Sequence, residues 1–149
     1  MSVFVAERST RSYSFVLEMP AARTFPLFEP EGERAWAKGW NPVYVHPAGG
    51  KAEQGMVFTT SHGGEDTIWM VIRHEPAARI VEYARVTPGS RTATVLVQCA
   101  AIDAGRTRVT VIYVFTGLSE AGNAVVRKMD DEAYRAYIES WREAIANIA

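Results

Sequence analysis

Residues Ser119 to Ile148 read SEAGNAVVRKMDDEAYRAYIESWREAIANI. Past Gly122 this run holds neither glycine nor proline, and Ala, Glu, Arg and Met, all good helix formers, are frequent in it. At 100° per residue, Val126, Ala133, Tyr134, Tyr137, Trp141, Ala144, Ile145 and Ile148 share one face, and Asp131, Glu132, Arg135, Glu139, Arg142 and Glu143 lie opposite. The pattern predicts one amphipathic helix over residues 119–148, roughly 45 Å long, lying on something apolar. Its apolar face alternates large aromatics with Ala133, Ala136, Ser140 and Ala144. Such a face either packs tightly or leaves a hollow.

The stretch just before it supplies the surface for the helix to lie on. Residues 92–102 and 107–116 read as two strands joined by Asp103-Ala104-Gly105, expected as a three-residue loop with Gly105 left-handed. That register sets Val109, Val111 and Tyr113 opposite Cys99, Val97 and Val95, all on one face, with Arg108 and Thr110 on the other. Further back, strands are expected over 43–46, 55–61, 67–74 and 80–87, separated by His62-Gly63-Gly64-Glu65, Pro76-Ala77-Ala78-Arg79 and Pro88-Gly89-Ser90. Short turns between neighbours imply antiparallel hairpins. Near the N-terminus, residues 11–19 alternate as a half-buried strand with Tyr13, Phe15, Leu17 and Met19 on one side. Pro20 opens a short helical piece over 21–28 that Pro26 interrupts, and 31–35 suit one further helical turn. Residues 1–10 are expected as a short arm. The order is strand, two short helices, six strands, long helix. A meandering antiparallel sheet cannot cover its own apolar face, and the last helix is the element large enough to cover it. The fold class is α+β, in a single domain over 1–149.

Composition narrows the function. With 149 residues, 48% of them hydrophobic and 22% charged, the chain can bury a substantial core. A net charge of −1 argues against nucleic-acid binding through a basic field. No apolar run approaches the length of a membrane span, and no apolar h-region marks a signal peptide. One cysteine, Cys99, excludes an internal disulfide and a cysteine-based zinc cluster. These features point to a cytoplasmic domain.

Element order and local sequence together resemble the START/Bet v 1-like superfamily, also called SRPBCC or helix-grip proteins. Within it, the chain is most similar to the bacterial polyketide cyclase/dehydrase and lipid-transport group. The resemblance spans about Tyr13 to Ile148. It rests on Pro20-Ala-Ala-Arg-Thr-Phe-Pro-Leu-Phe28, Thr67-Ile-Trp-Met-Val71 and Tyr83-Ala-Arg-Val-Thr-Pro-Gly89. Thr107-Arg-Val-Thr-Val111 and Thr116-Gly-Leu-Ser-Glu-Ala-Gly122 add to it. These are marks of fold, not of catalysis. The resemblance implies a curved sheet of about seven strands gripping the C-terminal helix around a deep cavity for a lipid, sterol, polyketide or aromatic compound. Members include carriers, sensors and a minority of enzymes.

The chemistry-bearing residues form no motif. His46, His62 and His74 sit in separate segments without metal-ligand spacing, so no metal is expected. His62-Gly63-Gly64 lacks a companion nucleophile elbow and reads as a hairpin turn. Gly49-Gly50-Lys51 lacks P-loop spacing, and no cofactor is expected. Cys99 has no charged neighbour to lower its pKa and reads as a small core residue.

The ligand-binding set expected from the sequence is Trp69, Tyr83, Arg85, Tyr113, Tyr137 and Trp141, together with Trp40 and Met129. Plain core packing is the competing account of its aromatics. Arg85 shares strand parity with Tyr83, so it faces inward if Tyr83 does. It would then anchor a ligand carboxylate or hydroxyl, or pair with Glu82 or Asp66, or else project from the strand end into solvent. Trp36, Trp40 and His46 suit a rim over the cavity mouth, or a hydrophobic plug.

Three functions remain open at this level. The favoured one is a module that binds a hydrophobic small molecule. The second is a cyclase/dehydratase-type enzyme, which requires a buried titratable pair converging in the cavity. The third is a subunit with an exposed apolar patch for a protein partner. Free sheet edges leave a homodimer open as well.

Overall fold

The computed structural model describes residues 3–148; residues 1, 2 and 149, at the ends of the expected domain, lie outside the described residues. Seven strands form one antiparallel sheet: β1 (Arg8–Leu17), β2 (Val43–His46), β3 (Val57–His62), β4 (Glu65–Glu75), β5 (Ile80–Thr87), β6 (Arg91–Asp103) and β7 (Arg106–Gly117). Their spatial order is β1-β7-β6-β5-β4-β3-β2, a meander closed by the return of β1 to the edge of β7. Between β1 and β2 come α1 (Ala21–Thr24) and two 3-10 turns, Phe25–Phe28 and Gly32–Ala35. Two helices follow β7: α2 (Glu120–Lys128) and α3 (Asp131–Ala146). Register shifts between Tyr44 and His46, Val71 and Arg73, and Ala101 and Asp103 interrupt the ladders. Such bulges bend and twist a sheet locally.

The β6–β7 register is the expected one: Val95 pairs with Tyr113, Val97 with Val111 and Cys99 with Val109, and all six are buried. Burial holds the Cys99 thiol up at about 12, so it is an inert core thiol. The loop itself differs from expectation. Asp103 pairs with Arg106, and Gly105 is not among the positive-φ residues. Instead, Asp103 Oδ1 accepts the Gly105 N–H at 3.0 Å and Oδ2 takes the Arg106 guanidinium, so a side chain closes the turn in place of a left-handed glycine. His62-Gly63-Gly64-Glu65 is a hairpin turn, with both glycines at positive φ. The N-terminal arm is shorter than expected, because β1 already starts at Arg8 and pairs with Thr116.

The helix predicted over 119–148 is two helices. At the break Met129 takes φ −87°, ψ 64°, and Asp130 is extended and accepts the Ala133 N–H at 2.9 Å on its side chain. Electrostatics favour a break here. Arg127 and Lys128 end α2, where the dipole is negative; Asp131 and Glu132 open α3, where it is positive. Arg11 holds the junction by donating to the Met129 carbonyl at 3.2 Å and to Asp131 at 2.7 Å.

The break also turns the apolar face of α3. Tyr134, Ile138, Trp141 and Ile145 are buried, whereas Tyr137 is 38% and Ile148 47% exposed. Ile138, absent from the expected face, is fully buried. The Tyr134 phenol donates to the Val111 carbonyl at 2.6 Å and ties α3 to β7. On the outer sheet face Val43, Val45, Ile68 and Met70 are exposed. No helix among the described residues is long and apolar enough to cross a membrane.

Candidate functional site

Sheet and α3 do not close on one another completely. Between them lies a cavity of about 460 Å³. The concave sheet face contributes Trp69, Tyr83, Arg85, Val95, Val97 and Tyr113. From α3 come Tyr137, Ser140, Trp141 and Ala144, so the small residues of the helix face do leave a hollow. Phe28 and Glu33 from the 3-10 turns, and Trp36 just after the second, cover one side. The rim is polar, with Lys38 and Gly39 facing His62 and Glu65 of the β3–β4 hairpin. A Cβ on Gly39 would come within 3.2 Å of the His62 ring, so loop and hairpin touch there.

The walls are continuous aromatic surface. Trp40, Phe58 and Trp69 pack with centroids 5.3–5.8 Å apart, and Tyr83 joins them from β5 at 5.8 Å from Trp69. Trp141 stands 5.6 Å from Trp36, 5.5 Å from Tyr137 and 6.3 Å from Tyr113. Most of these pairs are edge-to-face, Phe58 lies parallel to Trp69, and both arrangements are favourable at these distances. Hydrogen bonds fix several of the rings. The indole N–H of Trp36 donates to the Leu27 carbonyl at 2.7 Å, that of Trp40 to the Pro30 carbonyl at 2.8 Å and that of Trp69 to Thr60 at 2.9 Å. The Tyr83 phenol donates to the Phe28 carbonyl and is thereby occupied.

Of the residues expected to bind ligand, Trp40, Trp69, Tyr83 and Arg85 converge on the cavity with Tyr113, Tyr137 and Trp141. Met129 does not. It caps α2 at the helix break and packs against the core there. His46 is exposed at the end of edge strand β2, away from the rim where Trp36 and Trp40 sit.

Arg85 does face inward with Tyr83. Its guanidinium carbon lies 5.3 Å from the Trp69 ring centroid and 5.5 Å from that of Tyr113. Trp69 is its cross-strand partner on β4, and the small Ala93 is its partner on β6, which leaves it room. Neither Glu82 nor Asp66 is paired with it, and among the described residues no carboxylate is. By contrast the Arg91 guanidinium at the rim grips Glu65 in bidentate fashion at 2.9 and 3.0 Å, which lowers the Glu65 pKa.

Glu33 is the residue that sequence reading missed. It keeps partial exposure yet lines the cavity, and the surrounding protein withdraws its carboxyl from bulk water. That desolvation raises its pKa well above the ordinary 4.5. The signal was present: in a 3-10 turn residues i and i+3 eclipse, so Glu33 shares a side with Trp36. Gly32 lets this turn pack, since a Cβ there would strike the Pro26 carbonyl oxygen at 1.8 Å.

A carboxyl whose folded pKa is raised holds its proton to higher pH in the fold than in the unfolded chain. Its contribution to stability is complete below pH 4.5 and is lost as pH rises through the folded value. Glu33→Gln should therefore be the more stable protein at pH 8, by on the order of 1–3 kcal/mol, with the advantage vanishing near pH 4. Thermal unfolding of both proteins across that range measures the difference, and parallel curves would show that Glu33 is solvated.

No known family profile matches the chain, and no curated protein sequence does. Solved structures do. Norcoclaurine synthase from Thalictrum flavum, in complex with dopamine and hydroxybenzaldehyde, superposes with a TM-score of 0.69 over 96% of this chain and 87% of that one, at 7% identity. The Zhui aromatase/cyclase of a Streptomyces species gives 0.63 over 95% and 91%, at 16% identity. Ara h 8.0201 gives 0.65 over 95% of each chain, at 15% identity. Identities this low speak to architecture alone, and that architecture, a curved seven-stranded sheet closed by a C-terminal helix, is the helix-grip fold of the Bet v 1-like proteins.

Proposed function

We propose that the chain binds a hydrophobic small molecule, a lipid, polyketide or aromatic compound, in the cavity between sheet and α3. The observation that carries this reading is an aromatic-walled space of about 460 Å³ whose indole N–H groups at Trp36, Trp40 and Trp69 are already bonded to protein. Walls satisfied in this way present ring faces, which suit apolar and planar molecules. The aromatic pair in the norcoclaurine synthase complex agrees with it in kind.

Native mass spectrometry of the purified protein tests it. The expected spectrum shows a non-covalent adduct that dissociates to an apolar small molecule, or that forms when lipid and aromatic extracts are added. A protein that remains empty with every extract overturns the reading.

One observation favours a second reading, acid–base catalysis on an enolisable carbonyl. Glu33, whose pKa burial raises, and the cationic Arg85 line the same cavity, a titratable carboxyl and a charge that such chemistry uses. Tyr83 has no part in it, because its phenol is bonded to Phe28. Glu33→Gln separates the readings: turnover of a candidate carbonyl substrate collapses if the chain is an enzyme, whereas binding persists if it is a carrier.

A further inference from the structure

We propose that the cavity is selective for a planar aromatic anion, whose carboxylate docks on Arg85 while its ring lies among Trp69, Tyr113 and Trp141. This rests on the binding function above and specifies the charge of the ligand.

The geometry carries the argument. A guanidinium offers five N–H donors in its plane and never loses its proton. At Arg85 the contacts identified are the ring systems of Trp69 and Tyr113, at 5.3 and 5.5 Å. Ring faces stabilise the charge but accept no strong in-plane hydrogen bond, so these donors remain available. Among the described residues no carboxylate forms a salt bridge with Arg85, and its side chain enters no hydrogen bond of the kind that ties Arg11 to the Met129 carbonyl or Arg34 to the Pro42 carbonyl. A charge held inside a largely aromatic hollow is costly unless a counter-charge meets it, and a ligand can supply one.

Among the described residues the other charges of the cavity leave Arg85 without a hydrogen-bonded counter-ion: Glu65 feels its charge through the field but makes no bond to it. Glu65 is consumed by the bidentate pair with Arg91. Lys38 adds positive charge at the rim. Glu33, the remaining carboxyl, makes no ion pair with Arg85, and even counted as charged it leaves Lys38, Arg85 and Arg91 outnumbering the two carboxylates of the lining. The interior therefore presents a net positive field, and its one fork of free donors matches a carboxylate in shape as well as charge.

Three probes test this: naphthoate, methyl naphthyl ketone and naphthylmethylammonium, substituted at one ring position and differing in charge. Their dissociation constants are measured by calorimetry at pH 7 on the whole chain. Naphthoate should bind about tenfold to a hundredfold more tightly than the ketone, and the ammonium probe most weakly. Arg85→Met should remove the naphthoate advantage and leave ketone affinity within about threefold. Arg85→Lys, which keeps the charge without the fork, should retain part of it. If the ketone binds the unmodified chain as tightly as naphthoate does, the anion preference is overturned while the cavity reading stands. If none of the three probes binds, the aromatic-anion preference is overturned, while the cavity reading stands or falls by native mass spectrometry with the extracts. Should Arg85→Met fail to fold, the ranking in the unmodified chain still decides the matter.

Discussion

Gly122→Ala is expected to abolish cooperative folding, or to lower its midpoint by well over 6 °C. Helix propensity alone predicts the reverse, because alanine within a helix is favoured over glycine by roughly 0.5–1 kcal/mol. Gly122 is the third residue of α2, and its N–H is already taken by the Ser119 cap at 3.0 Å. A Cβ there would sit 1.6 Å from the Ser90 carbonyl oxygen and 2.5 Å from its carbon. Neither side can yield easily. The Ser90 carbonyl also accepts the Leu118 N–H at 2.7 Å, which fixes the β5–β6 turn to the end of β7. Beside it Asn123 is buried, accepting the Glu7 N–H at 2.8 Å and donating to the Val5 carbonyl at 2.9 Å. Sliding α2 away would break those bonds and leave polar groups unpaired, at about 1–3 kcal/mol each. Overpacking in an adaptable core costs about 1–3 kcal/mol. A contact of backbone against backbone should cost at least the upper end, and each kcal/mol lowers the midpoint by roughly 2–4 °C at this size. Thermal circular dichroism reads the result. A midpoint that is unchanged or raised would mean that α2 does not approach the β5–β6 turn so closely.

That helix lies in the region where sequence and structure agree least, and the reason is physical. The pairing of β6 with β7 was legible because alternation of period two and a tight turn constrain one another: moving Val109 off Cys99 would turn every valine outward. A helical pattern carries no such check. Residues 119–148 satisfy helix propensity throughout, and the break at Met129 and Asp130 is decided by a side-chain cap and by Arg11 reaching across from β1. The second of these is a contact over more than a hundred residues, which no local window contains. The cavity shows the same division. The inward direction of Arg85 follows from strand parity with Tyr83. That its guanidinium lacks a carboxylate follows only from where Glu65 and Arg91 meet. Glu33 had a local signal, its i+3 relation to Trp36, but its raised pKa depends on the desolvation that three-dimensional packing imposes.

Filling the cavity from the helix side should separate its two roles, as a gap in the core and as a binding site. Ala144→Trp is the substitution to make. Ala144 lies on the cavity-facing side of α3, one turn beyond Ser140 and three residues past Trp141. Trp141 already spans toward Trp36 and Tyr113, so an added indole meets aromatic walls rather than backbone. It can cover roughly 150–250 Å² of surface that now borders empty space. New van der Waals contact along the aromatic walls stabilises, so the midpoint should hold or rise by a few degrees. Any molecule that needs the same volume loses it, and affinity should fall by about a hundredfold or more, since the loss includes both wall contact and access to Arg85. Calorimetry with naphthoate and thermal unfolding of the same preparation provide both readings. Unchanged affinity with unchanged stability would show that ligands bind elsewhere. Lost affinity with a collapsed midpoint would show instead that α3 and the sheet are packed too closely to admit the ring. Only the combination of lost binding and retained stability identifies this hollow as the site that binds.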